Sequence, residues 1–108
     1  MSEQNELTQA LDLDNMLNYQ EGSIVSRTLL KKDTGTVTLF SFDQGEGLSE
    51  HTAPFDAIVY IFDGEAEITI SKDNHILTKG QMILMPANKP HALKALKKFK
   101  MMLIMVKA

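Results

Sequence analysis

From Ser23 onward the chain is a succession of short apolar runs cut by turn-forming residues, and this punctuation leaves room for little but short strands. The runs cover residues 24–31, 36–42, 48–52, 57–62, 66–70, 75–77, 82–85, 91–95 and 99–106. Asp33-Thr34-Gly35 and Asp63-Gly64 are turn sequences in which Gly or Asp tolerates positive φ. Lys72-Asp73-Asn74 separates two runs that read as hairpin arms. Ala66, Ile68 and Ile70 alternate with Glu65, Glu67, Thr69 and Ser71, as in a strand with one dry face and one wet face. Residues 57–62 show no alternation, so both faces of that strand are expected to be covered. The fold class this predicts is all-β: an antiparallel sandwich or barrel of many short strands. Residues 1–22 read as a lead-in with one weak helical or extended segment around 7–17, and residues 23–108 as one domain.

One segment reads otherwise. In 92–100, Ala92, Leu93, Ala95, Leu96 and Phe99 alternate with four lysines in a helix-like stripe. Alone it would be a basic amphipathic helix of the kind that lies on membranes or in partner grooves, with Pro86 and Pro90 upstream as a start signal. The motif spacing given below overrides that local preference and assigns strands.

Length and composition narrow the function classes. A chain of 108 residues is long enough to bury an ordinary core as one domain. Absence of cysteine removes disulfides, thiolate chemistry and Cys-based zinc sites. Neither a signal peptide nor an apolar run long enough for a membrane span is visible, so no membrane association and a cytoplasmic location are expected. The net charge of −3 argues against nucleic acid. All 14 acidic residues lie between Glu3 and Asp73, whereas residues 74–108 carry seven lysines and no acid. Either the end of the chain is a basic arm, or early and late strands interleave and neutralise each other; the second is expected of a barrel.

By spacing, the middle of the chain reads Gly45, five residues, His51, Thr52, Ala53, three residues, Ala57, six residues, Gly64. After fifteen residues it continues with Gly80, five residues, Pro86, Ala87, Asn88, two residues, His91, three residues, Ala95. This resembles the two motifs of the cupins, G-x5-H-x-H-x3-4-E-x6-G and G-x5-P-x-G-x2-H-x3-N. The resemblance covers residues 45–95 and implies an antiparallel double-stranded β-helix, or jelly-roll barrel. Asn88 stands where the family has glycine, and Asn is the residue with a side chain that best accepts left-handed backbone.

In the family, two histidines and a carboxylate from the first motif and one histidine from the second converge on a metal. Here His51 and His91 match, but the other two positions are Ala53 and Ala57, which ligate nothing. Asp56 is the neighbouring carboxylate that could replace the missing one, whereas Glu50 should face outward by strand alternation. Met82, Met85, Met101, Met102 and Met105 are potential soft-metal ligands or core gap-fillers. His75 matches no ligand position and is expected at the surface. The sequence therefore points to a small-molecule ligand bound inside the barrel, in a pocket of His51, His91, Tyr60, Met82 and Met101. The alternative is a divergent metal-dependent enzyme of dioxygenase, isomerase or lyase type, with a divalent metal on His51, His91 and a third group such as Asp56. Residues 99–106, apolar on both faces, predict a homodimer that covers a terminal strand.

Overall fold

The computed structural model describes residues 8–108. It contains nine strands: β1 (Ile24–Lys32), β2 (Gly35–Phe42), β3 (Gly47–His51), β4 (Phe55–Asp63), β5 (Glu65–Ile70), β6 (Asp73–Thr78), β7 (Met82–Met85), β8 (His91–Ala95) and β9 (Phe99–Lys107). Every run read from the sequence is a strand, and the lysine-rich stretch 92–100 is not a helix but the end of one strand, a bent link at 96–98 and the start of the next. Along β8, His91, Leu93 and Ala95 are buried while Lys94 is exposed, so period-2 burial governs where the side-chain preferences alone suggested a helix.

The strands form two antiparallel sheets, ordered β1-β2-β9-β4-β7 and β3-β8-β5-β6. Such an order requires the chain to cross between the sheets repeatedly, as in a jelly roll. The core lies between them. Val59, Ile61, Phe99 and Met101 from the larger sheet meet Ala66, Ile68 and Leu93 from the smaller one. Phe42 and Phe99 stack with ring centroids 4.4 Å apart. Burying each such side chain contributes roughly 1.5–3 kcal/mol.

Two turns show why particular residues are needed. Gly64 has φ +79°, and a Cβ there would stand 1.9 Å from the carbonyl oxygen of Lys98. Asn88 has φ +66°, so asparagine in the glycine position preserves the left-handed turn that leads into His91.

Among its described residues the lead-in holds a 3-10 turn, Leu13–Asn15, rather than an α-helix; Leu7, the first residue of the expected segment, lies outside the described residues. Leu17, with Leu13 and Met16, packs on the outer side of the larger sheet against Leu29, Leu39 and Phe62. Polar contacts fasten it. Tyr19 donates a hydrogen bond to Asp63, and burial together with that carboxylate holds the phenol well above its ordinary pKa. The ammonium groups of Lys98 and Lys100 lie 4.9 and 5.0 Å from the Tyr19 ring centroid. Lys100, 6% exposed, donates to the Asp14 carbonyl at 2.7 Å and to its carboxylate at 3.0 Å. Together with Glu67, which pairs across from Lys94, these contacts show early acids meeting late lysines.

Among the described residues, the outer side of the larger sheet is only half covered. The lead-in shelters the Phe62 end of β4, while Met82, Leu84 and Val106 remain 57%, 49% and 52% exposed. Full covering of both faces of 57–62 is therefore met only at one end. Among the described residues no helix is long and apolar enough to cross a membrane.

Candidate ligand site in the barrel

His51 is the last residue of β3 and His91 the first of β8, and the two are cross-strand partners. The ladder slips between Leu48 and His51, an irregularity that re-aims a side chain at the strand end. In each ring Nδ1 meets the backbone carbonyl two residues upstream: Ser49 at 2.8 Å for His51, and Lys89 at 3.2 Å for His91. A carbonyl oxygen only accepts, so Nδ1 carries the proton in both rings and donates it. In the neutral rings both Nε2 atoms are then bare acceptors, and they stand 3.1 Å apart. Two lone pairs at that distance repel, and the pair is satisfied only by something positive or proton-donating.

The surroundings set how such an occupant is held. His91 is buried, and His51 is exposed at the rim. Burial lowers the His91 pKa below the ordinary histidine value, opposed by the Lys89 carbonyl and assisted by the His51 charge. Below the pair opens a cavity of about 60 Å³ whose wall is otherwise apolar, with Leu48, Phe55, Leu93 and Leu103 in it. Met85, Met101 and Met105 add three thioethers.

The residues expected at the site divide. His51, His91 and Met101 line this cavity. Tyr60 and Met82 do not. They are partners across β4 and β7 and point outward with the other even-numbered residues of β4, Tyr60 against the cluster beneath the lead-in and Met82 into solvent. Alternation along β4, with Ala57, Val59 and Ile61 inward, fixes that assignment. Asp56 is likewise exposed, and its carboxylate accepts the Ala87 N–H at 2.9 Å, bracing the loop before His91 rather than facing the pair. Leu48, Phe55, Met85, Leu93, Leu103 and Met105 are wall residues whose place the motif did not give, although alternation from Ala57 would have found Phe55. His75 is exposed on β6, away from the pair.

The family's four-ligand metal set does not fit this chain. Ala53 and Ala57 both line the cavity, where they present methyl groups in place of the imidazole and carboxylate. Among the described residues no group of three or more His, Cys, Asp or Glu side chains is placed to hold an ion.

Residues 38–107 match the family model of the cupin domain. A conserved protein of unknown function from Streptococcus pyogenes is similar at 40% identity and TM-score 0.89, over 93% of this chain and 88% of that one. A cupin superfamily protein from Desulfitobacterium hafniense is similar at 31% identity and TM-score 0.88, over 93% and 92%. A cupin 2 conserved barrel domain protein from Leptotrichia buccalis shares 42% identity at TM-score 0.87, over 90% of this chain and 47% of that one. No curated protein matches the chain.

Proposed function

The chain belongs to the cupin domain family, and we propose that it is a small-molecule-binding cupin whose occupant is gripped by His51 and His91 through a proton-donating group. The observation that carries this reading is the pair of bare Nε2 acceptors, 3.1 Å apart, at the head of an apolar cavity. An apolar pocket with a few placed polar groups is the usual form of a small-molecule site. Size refines the reading. A cavity of about 60 Å³ is well below the ~150 Å³ that accommodates benzene and the ~300–1,000 Å³ of drug-sized sites. The barrel therefore takes the hydroxyl, amide or similar tip of a ligand, and the rest emerges beside the exposed His51. Native mass spectrometry of untagged protein tests this. A retained organic mass that is lost in both His51→Phe and His91→Phe variants, with folding intact by circular dichroism, is the expected result. Retention in both folded variants would remove the histidines from the reading.

A second reading has its own support. Ligating histidines commonly donate their outer N–H to a backbone carbonyl, which fixes the tautomer and aims the other nitrogen; both rings here do so. Two imidazole nitrogens on one tetrahedral ion stand about 3.3 Å apart, given bonds of about 2.0–2.1 Å, close to the separation found. In this reading a metal bridges the pair.

The partner belonging to both readings is a second copy of the chain. The strip of Ile58, Leu84, Ile104 and Val106 lies on one face of adjacent strands, Leu84 and Val106 exposed and Ile58 and Ile104 half-buried, and an apolar strip of this kind supports an interface.

A further inference from the structure

Resting on the second reading, we propose that the metal this barrel selects is copper(I), held by the Nε2 atoms of His51 and His91 and by the thioethers of Met85 and Met105. The register around Ala57 leads to this assignment. Ala57 stands where a cupin carboxylate would project into the cavity, and its cross-strand partner is Met85 on one side and Met105 on the other. Directly opposed residues of antiparallel strands have Cβ atoms about 4.5–5.5 Å apart. Two thioether side chains thus flank the position from which the carboxylate is missing, and both line the same cavity as the histidines.

The donor chemistry then discriminates among metals. Imidazole nitrogen and thioether sulfur are the metal-binding groups in the cavity wall, and carboxylate and thiolate are absent from it. Magnesium, calcium and manganese require oxygen donors, and structural zinc prefers thiolate or a third imidazole. Thioether is a soft, neutral donor that suits copper(I). A monovalent ion also fits the burial: with four neutral ligands the site carries a single positive charge, which costs less to place in an apolar cavity than a divalent one. Methionine as a mere gap-filler beside a small alanine is the competing explanation, and it predicts that leucine of similar volume serves as well.

The test uses untagged protein under anaerobic, reducing conditions, titrated with copper(I) against the chromogenic chelator bicinchoninate, while binding of zinc(II), manganese(II) and iron(II) is read by isothermal titration calorimetry. Expected are one copper(I) per chain and sulfur scattering in the copper X-ray absorption spectrum. The Met85→Leu/Met105→Leu double variant, folded by circular dichroism, should bind copper(I) at least tenfold more weakly and lose the sulfur signal. Met82→Leu, on the outer face, serves as a control that changes neither. Undiminished affinity and spectrum in the double variant would overturn the thioether assignment. Stoichiometric zinc, manganese or iron without copper(I) would overturn the choice of metal while leaving a metal on the histidine pair. Failure to bind any of these ions would overturn both this proposal and the metal-bridged pair, leaving the organic ligand.

Discussion

His91 and His51 face each other across the β3–β8 ladder with Nε2 atoms 3.1 Å apart, one ring buried and the other at the rim. Their unequal burial makes truncation unequal. His91→Ala opens space in the core and strips the Lys89 carbonyl of its donor, for a loss of about 1–3 kcal/mol. His51→Ala leaves a carbonyl that water can reach, and its cost is expected below about 1 kcal/mol. Chemical denaturation followed by circular dichroism gives both numbers. Equal costs would mean that the rings are not differently buried.

Acid should loosen the fold through His91. Its pKa is lowered by burial, so the unfolded chain takes up a proton more readily than the folded one. Stability is therefore fully present above the ordinary histidine value of about 6.5 and falls as pH drops below it. Thermal midpoints between about pH 8 and pH 5 should decline, and His91→Gln should flatten that decline. An identical slope in the variant would place the titration elsewhere.

Two turn positions give opposite expectations. At Gly64 any side chain combines a left-handed backbone with a clash against the Lys98 carbonyl, so Gly64→Ala is expected to lose more than about 3 kcal/mol or to fail to fold. At Asn88, exposed with φ +66°, Asn88→Gly should be neutral or slightly stabilising, whereas Asn88→Val should cost about 1–2 kcal/mol. Denaturant midpoints separate these cases.

The lead-in is anchored by an ion pair of unequal partners. The Lys100 side chain is 7% exposed and that of Asp14 is 62% exposed. Asp14→Asn keeps the backbone carbonyl that Lys100 also uses and should cost under about 1 kcal/mol. Lys100→Ala removes a buried stem and leaves that carbonyl unpartnered, and about 1–3 kcal/mol is expected. Limited proteolysis should show cleavage near residue 20 rising in the second variant only.

If a second copy covers the outer strip, Leu84→Glu combined with Ile104→Glu places four like charges in the interface of a dimer. Light scattering should then report twice the chain mass for the parent and the chain mass for the variant, at micromolar concentration. A monomeric parent would refute the assembly.

Much of the barrel was legible because its information is local. Each run from 24–31 to 99–106 announces itself by apolar residues between turn formers, and Asn88 announces its own conformation. The lysine-rich stretch at 92–100 shows the limit: helical preference and sheet pairing conflict there, and pairing with β3 and β5 prevails because it buries His91, Leu93 and Ala95. The two histidines were legible from spacing. Residues 57–62 are apolar throughout and carry no phase of their own, so the outward turn of Tyr60 follows only by counting alternate residues from Ala57, and that of Met82 only from the β4–β7 register.

The strands and the turns between them rest on a few neighbouring residues each, and the two imidazoles on motif spacing, so all of these follow from the order of residues alone. The folded barrel was needed to show that both Nδ1 atoms are spent on carbonyls and that Met85 and Met105 flank Ala57. Those facts depend on register between strands far apart in the chain, and a shift of one residue would turn every side chain of a strand to the opposite face.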